Sequence, residues 1–339
     1  MRLTRRGWAV AGVVVASVVL AWLSGPRSLN AVVGPLIVAL AVGALTTYRA
    51  ERPAMSREPI ADGEVGDRRT VTLRFEVTTP VAATVADAVG DGVSADGAVA
   101  ETTLTGDGHQ YEITLGARGI HEVGPVTLTV TDVLGLVERR FRYESHETVT
   151  VYPPIDELGG EAGAVRRLEG AGKADDREEF DHLREYERGD ALRDVHWKSA
   201  AKRPDDELVV KEFGSASEVG AVGVVATGVQ GRSDELARAA ASVTSFLLET
   251  GRPVELTTPD GRDAAESAAE GRRRLLELLA VVDAGEVDEE VLAAADVRVR
   301  ARRDGVVVEV DGVEIAYDRL RDDRRQRTGG RSTSREVVA

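Results

Sequence analysis

The most restrictive feature of this sequence is a regular alternation of apolar and polar residues in several short runs. In the run RRTVTLRFEVTTP, polar side chains separate the apolar residues Val71, Leu73, Phe75 and Val77. Successive side chains of a β-strand point to opposite faces, so a period of two predicts strands with one buried face. HQYEITLGARG and GPVTLTVTDVLGLVERRF continue the pattern, with turn residues between the runs. We therefore predict an antiparallel β-sandwich over residues 60–153.

Two uncharged, apolar segments precede these runs, one at about residues 8–24 and the other at about 31–48. Each is close to the roughly 20 residues that a membrane-spanning helix requires. Gly25 and Pro26 between them predict a turn. A cleaved signal peptide is the alternative for the first segment, but the second apolar segment follows it at once. We predict a transmembrane helical hairpin within residues 1–55, with the lipid bilayer as its partner.

Basic residues predict the orientation of this hairpin. They flank its two outer ends, and they are Arg2, Arg5, Arg6, Arg49, Arg52 and Arg57. The loop inside the hairpin holds only Arg27. Positively charged flanks remain on the cytoplasmic side of a membrane. The expected location is therefore the cell membrane, as a multi-pass protein whose two termini and soluble domains are cytoplasmic.

The pattern changes in the last third of the chain. The continuous apolar run VGAVGVVATG predicts a strand buried on both faces, and PVELTT predicts another strand. Residues 233–250 and the run GRRRLLELLAVV have helical spacing, with Ser233 as a candidate N-cap. Strands that alternate with helices indicate an α/β layer with parallel strands. We predict this α/β domain within residues 154–320, together with a motif at about 173–213, and a disordered tail over 321–339.

Composition limits the classes of partner and cofactor. The chain carries 58 acidic and 43 basic residues, a net charge of −15, and only four lysines. An acidic surface with few lysines is typical of proteins from a halophilic archaeon, in which charge keeps the chain soluble. It argues against nucleic-acid binding, which requires a basic face. The absence of cysteine excludes disulfides and thiolate metal sites, and we predict no cofactor.

The rarest residues of the chain are concentrated in the motif EEFDHLREYERGDALRDVHWKSAAK, which ELVVKEF follows. All four lysines lie in or beside it, and Trp197 is the only tryptophan outside the first apolar segment. The motif resembles the signature of the family named domain of unknown function 58. The matching residues are Phe180, Leu183, Arg184, Tyr186, Gly189, Asp190, Arg193, Trp197, Lys198 and Lys202. The segment RGIHEVGPVTLTVTDVLGLVERRF resembles the sandwich segment of the same family.

The resemblance implies a fold and a role. Family members are membrane proteins with an α/β region similar to a von Willebrand A domain, and they occur beside MoxR-type AAA ATPases. It implies a non-catalytic protein that assembles or activates complexes with such an ATPase. Metal-binding von Willebrand A domains carry Asp-x-Ser-x-Ser after their first strand, where oxygen atoms hold Mg²⁺. This chain has ATGVQGRSDE there, with Thr227 as the nearest hydroxyl, so we predict no metal site.

Two interpretations of the motif stay open. Asp190 precedes a helical pattern and is expected to cap it. Arg193 and Trp197 are four residues apart and can form a cation–π contact on a charged helix face. A tryptophan on such a face requires a cover. The cover is either the β-sandwich, which makes the motif a joint between domains, or a partner protein.

An enzyme is the alternative function. Asp181, His182 and His196 could supply the acid–base groups of a hydrolase. The chain lacks a G-x-S-x-G element, and GAGKA lacks the first Gly and the Ser or Thr of a P-loop. The spacing of the two histidines fits no common zinc pattern. We therefore predict a membrane-anchored, cytoplasmic interaction or assembly protein rather than an enzyme.

Overall fold

The computed structural model describes residues 1–24, 30–106, 108–172, 183–185, 209–211, 220–266 and 270–321. The chain divides into two compact units, Met1–Tyr152 and Pro153–Ala339. The boundary coincides with Pro153 and Pro154, which cannot donate the hydrogen bonds that would continue the last strand of the first unit.

The first unit begins with two helices of 20 residues each, α1 (Arg5–Ser24) and α2 (Asn30–Arg49). The hydroxyl of Thr4 accepts the backbone N–H of Gly7 at 3.0 Å and so satisfies a free donor at the start of α1. Both helices expose large apolar side chains, among them Trp8.

The predicted transmembrane hairpin is wrong for the part of the chain that the structure describes. There, no helix is both long enough and apolar enough to cross a membrane. The uncharged parts of the two helices, residues 7–24 and 30–48, are 18 and 19 residues long, slightly below the roughly 20 that a bilayer requires. The helices reach 20 residues by including Arg5, Arg6 and Arg49. The same finding overturns the predictions that rested on the hairpin. These are the lipid bilayer as a partner, the multi-pass location in the cell membrane, and the orientation with cytoplasmic termini.

Strands form the rest of the first unit. Their bounds are β1 Arg2–Leu3, β2 Ala54–Arg57, β3 Gly63–Glu64, β4 Arg68–Glu76, β5 Val81–Val89, β6 Val93–Asp96, β7 Val99–Leu104, β8 His109–Leu115, β9 Gly119–Thr131, β10 Val137–Tyr143 and β11 Glu147–Tyr152. The larger sheet has the order β1-β10-β9-β11-β3, with β5 paired to β9 and β7 paired to β5. The smaller sheet has the order β2-β4-β8-β6.

The two sheets share one apolar core. Leu73 and Ile113 of the smaller sheet and Leu128 and Val149 of the larger sheet are fully buried in it. Strand β9 organises the larger sheet, because its 13 residues pair with β10, β11 and β5. Two sheets that face each other over a common core form a sandwich.

A buried polar cluster interrupts this core. The Nη1 and Nη2 atoms of Arg57 lie 2.8 and 2.9 Å from the two carboxylate oxygens of Asp87, and the Tyr111 hydroxyl donates to Asp87 at 2.6 Å. Burial opposes the charge of Arg57, but the hydrogen bonds and the charge of Asp87 outweigh it and raise the pKa of Arg57. Burial, helped by the hydrogen bond to Asp87, raises the pKa of Tyr111. The cluster therefore fixes β2, β5 and β8 relative to one another.

The second unit is an α/β layer with a small separate ribbon. The element bounds are α3 Ala162–Glu169, β12 Leu183–Glu185, β13 Val209–Lys211, β14 Val222–Gly228, α4 Ser233–Glu249, β15 Val254–Thr258, β16 Gly261–Ala265, α5 Glu270–Val281, α6 Glu289–Ala294, β17 Val297–Arg302, β18 Gly305–Val310, β19 Val313–Ala316 and α7 Tyr317–Leu320. The main sheet has the order β16-β15-β14-β17-β18-β19. Strands β15, β14 and β17 are parallel, and the outer pairings are antiparallel.

Helix α4 covers one face of this sheet and contacts β14, β15, β17 and β18. Its buried face holds Leu236, Ala240 and Leu247, and the small alanine allows a close approach to the strands. Ser233 is not the N-cap that the sequence predicts. Arg232 takes that position, and the Ser233 hydroxyl donates instead to Asp283 at 2.5 Å. The Ser233 side chain therefore binds a partner outside the helix instead of capping it.

Candidate functional site

The structure describes only part of the motif predicted from the sequence. Leu183 and Arg184 lie in β12, which pairs with β13. The other predicted motif residues lie outside the described residues, and they are Phe180, Tyr186, Gly189, Asp190, Arg193, Trp197, Lys198 and Lys202. The groups of the alternative hydrolase also lie outside them, and they are Asp181, His182 and His196. The N-cap, the cation–π contact, the domain joint and the hydrolase site therefore stay predictions.

Strands β12 and β13 form an antiparallel ribbon that joins the two halves of the motif. Leu183 is opposite Lys211, and Glu185 is opposite Val209. A two-stranded ribbon of this size is only marginally stable by itself in water and requires further contacts.

The motif-bearing segment begins and ends at one edge of the main sheet. The parallel strands β14, β15 and β17 start at this edge, which we name the amino edge. Gly172 is the last described residue before the segment and lies beside Asp296, the residue that precedes β17. Gly220 follows the segment and precedes β14. The chain therefore leaves the described part of the unit at the amino edge and returns to it there.

Open α/β sheets most often bind ligands at the opposite edge. In this chain, groups at that edge form hydrogen bonds with one another. The backbone N–H of Gly228, the last residue of β14, donates to the carbonyl of Gly285 at 3.0 Å. Asp283 accepts from Ser233, and its backbone N–H donates to Asp260 at 2.7 Å. Across the described residues, no group of three or more histidine, aspartate or glutamate side chains could hold a metal ion.

We expect the thermal unfolding of the full chain to be insensitive to millimolar Mg²⁺ at fixed ionic strength. Thr227 is the hydroxyl nearest to the end of β14 and is buried, and no Asp precedes it to supply the hard oxygen donors that Mg²⁺ prefers. The measurement is a calorimetric melting curve in which Mg²⁺ replaces Na⁺ at equal ionic strength. A saturable shift that disappears in Thr227→Ala would contradict this expectation.

A polar cluster that sequence reasoning missed joins the start of the second unit to α4 and α7. The Asp156 carboxylate accepts hydrogen bonds from Arg238 Nε and Nη2 at 2.7 and 2.6 Å and from the Tyr317 hydroxyl at 2.8 Å. Arg321 Nε lies 3.2 Å from the same carboxylate. The Ser242 hydroxyl accepts the backbone N–H of Asp156 at 2.9 Å. We name these five residues the Asp156 cluster.

The pKa shifts within the Asp156 cluster indicate that its role is structural. Burial acts to raise the pKa of Asp156, but the hydrogen bonds from Arg238 and Tyr317 outweigh burial and hold that pKa below its ordinary value of 3.8. The hydrogen bond to Asp156 raises the pKa of Arg238, and burial raises the pKa of Tyr317. A general acid or base works best with a pKa near the operating pH. The cluster therefore stabilises the fold and is not poised for proton transfer.

Comparisons with known proteins leave the family unassigned. No family model matches the chain. It is 26% identical over 188 residues to the uncharacterized protein YeaD of Bacillus subtilis, a match that covers 51% of this chain. The match covers only 46% of that relative. The resemblance to domain of unknown function 58 therefore stays a prediction.

Similarities to solved structures are distant. One is to the complex of zinc 2-glycoprotein and prolactin inducible protein from human seminal plasma, with a TM-score of 0.22, 12% identity, and coverage of 30% of this chain and 98% of that one. Another is to the PKD domain of an M14-like peptidase from a Thermoplasmatales archaeon, with a TM-score of 0.20, 16% identity, and coverage of 28% and 97%. At such scores these similarities carry no argument about this chain.

Proposed function

We propose that this chain is a non-catalytic interaction protein that assembles or activates a complex together with a MoxR-type AAA ATPase. One observation carries the proposal. The segment that holds the motif leaves and re-enters the second unit at the amino edge of the sheet. Small ligands of open α/β sheets bind instead at the carboxyl edge, which favours contact with another protein over a substrate pocket as the role of the motif.

The carboxyl edge offers little support for catalysis. A catalytic hydroxyl requires a base that takes its proton while the oxygen faces a substrate. Ser233 donates to Asp283, but its oxygen also accepts the backbone N–H of Ala284 at 3.0 Å. Its hydrogen bonds therefore hold the start of α4 against the loop after α5.

The ribbon supports an interaction role. Within the described residues, β12 and β13 pair only with each other. Unpaired strand edges carry free backbone donors and acceptors, which a partner strand can satisfy. The motif sequence adds charges of both signs, with an acidic run before Leu183 and basic residues after it. Complementary charges set partner choice and association rate more than affinity.

We expect Trp197→Ala and Arg184→Glu each to weaken capture of a MoxR-type ATPase of the same organism by at least about tenfold, because Trp and Arg commonly anchor interfaces. Capture is measured as concentration-dependent co-purification of the full chain with the purified ATPase. Salt is held constant, because it screens exposed charges. Arg303→Glu is the matched control, since Arg303 is exposed in the turn after β17 and lies outside the motif.

Unfolding is measured on the same variants to separate folding from binding. Lost capture with normal unfolding supports the proposal. A large loss of stability in Trp197→Ala would place Trp197 in the joint between domains, and Arg184→Glu would then decide the question of binding. Normal capture by both motif variants would overturn the proposal.

A further inference from the structure

Arg252 is a buried guanidinium with no acceptor among the described residues. It follows α4, precedes β15, and is only 8% exposed. Among the residues that the structure describes, no hydrogen-bond acceptor lies within reach of its Nε, Nη1 or Nη2 atoms. Its backbone N–H caps α4 by donating to the carbonyl of Leu247 at 3.0 Å. The main chain is therefore fixed while the charged end of the side chain is unpaired.

The guanidinium lies at the amino edge, beside Gly172. A Cβ atom on Gly172 would lie 3.4 Å from Arg252 Nη2 and 3.3 Å from the carboxylate of Asp296. Gly172 has a φ of +63°, a conformation that favours glycine, and a side chain there would come into close contact with both charged groups. Asp296 Oδ2 accepts the backbone N–H of Gly223 at 2.8 Å. The Asp296 carboxylate therefore binds the start of β14, and it does not form an ion pair with Arg252.

An unpaired buried guanidinium is costly, because arginine stays protonated at any pH that a folded protein experiences. Buried charges are normally paired or hydrogen-bonded. The guanidinium fork matches the oxygen atoms of carboxylates and phosphates, which it binds through parallel hydrogen bonds. We propose that Arg252 is the binding residue of an oxyanion site at the amino edge, beside Gly172. This inference does not depend on the proposed function.

The guanidinium fork fits a free oxyanion such as phosphate or sulfate. Asp296 repels such an anion, so the site should bind more tightly when that carboxylate is neutralised.

The test is the melting temperature of the full chain as sulfate replaces chloride at fixed ionic strength. Sulfate also stabilises proteins non-specifically, so the decisive quantity is a saturable increase, which is typical of binding to the folded state. We expect this increase in the parent protein and its loss in Arg252→Met. Asp296→Asn keeps an acceptor for the Gly223 N–H and should strengthen the response. Arg252→Lys keeps the charge without the planar fork and should weaken apparent sulfate affinity by about tenfold, which gives a second comparison if Arg252→Met does not fold.

A saturable response in the parent protein that Arg252→Met loses supports the proposal. Equal responses with and without Arg252, or no saturable response in any variant, would overturn the proposal.

Discussion

Replacing Asp87 by Ala is expected to lower the free energy of unfolding of the first unit by about 3–5 kcal/mol, the usual cost of removing one partner of a buried ion pair. The Arg57 side chain is only 3% exposed and that of Asp87 is fully buried. Arg57 would keep its charge without its bidentate acceptor, and the Tyr111 hydroxyl would lose the carboxylate to which it donates at 2.6 Å. Each consequence leaves a buried polar group unsatisfied, which costs more than the net value of the bond itself.

The measurement is amide hydrogen exchange of peptides from β5 and β8 in the full chain, because a chain of two units need not unfold in one step. The control is the triple replacement Arg57→Met/Asp87→Leu/Tyr111→Phe, which substitutes apolar side chains for the pair and removes the hydroxyl that donates to Asp87. Apolar replacements of buried ion pairs are often neutral or stabilising, so the triple variant should recover most of the loss. A change below about 0.5 kcal/mol in Asp87→Ala, the range of ordinary surface substitutions, would show that the pair does not stabilise the sandwich.

The strands of the first unit were predictable where apolar and polar residues alternate strictly. The run RRTVTLRFE became β4, and HQYEITL became β8, because their inward residues meet the common core. Strand β5 was not predictable, because its inward positions include Asp87 among valine and alanine. Its partner Arg57 lies 30 residues earlier in the chain, so no local pattern reveals that the charge is neutralised.

The helices of the first unit show the limit of a composition argument. Apolar content predicted correctly that helices would form near residues 8–24 and 31–48, but it also suggested transmembrane spans. The suggestion is wrong for the described residues, in which no helix is both long enough and apolar enough to cross a membrane. The uncharged part of each helix is slightly shorter than the roughly 20 residues that a bilayer requires. Near-threshold segments of this kind are where hydropathy alone is least decisive.

The candidate site was predictable only as a motif. Leu183 and Arg184 were singled out from the sequence, yet their pairing with Lys211 and Val210 in a ribbon was not anticipated, since β12 and β13 are short and far apart in the chain. Arg252 gave no signal either. In ETGRP it has the pattern of an ordinary turn residue after a helix, and only the packing of the amino edge identifies it as a buried charge with no acceptor in the described part of the chain.

The second prediction of large effect concerns the Asp156 cluster and acid. We expect Asp156→Asn to lower the free energy of unfolding of the second unit at neutral pH by about 2–3 kcal/mol, because hydrogen bonds to charged groups contribute about 1.5–3 kcal/mol. Arg238, Tyr317 and Arg321 all lose an ionised acceptor. A local cost is expected in α7 in particular, since Tyr317 is its first residue and is buried.

The pH dependence provides the sharper test. The folded pKa of Asp156 is lowered from its ordinary value of 3.8, so the folded state favours the carboxylate. Its contribution to stability is therefore complete above that ordinary value and is lost as the pH falls through the lower, folded pKa. The difference in unfolding free energy between the parent protein and Asp156→Asn should be constant near neutrality and shrink below pH 3.8. Asp318→Asn is the matched control, because Asp318 lies beside Tyr317 on α7 and its side chain is 87% exposed. This variant should leave the unfolding free energy and the pH dependence of that free energy nearly unchanged. A difference for Asp156→Asn that stays the same at every pH would mean that the carboxylate contributes through packing rather than through its charge.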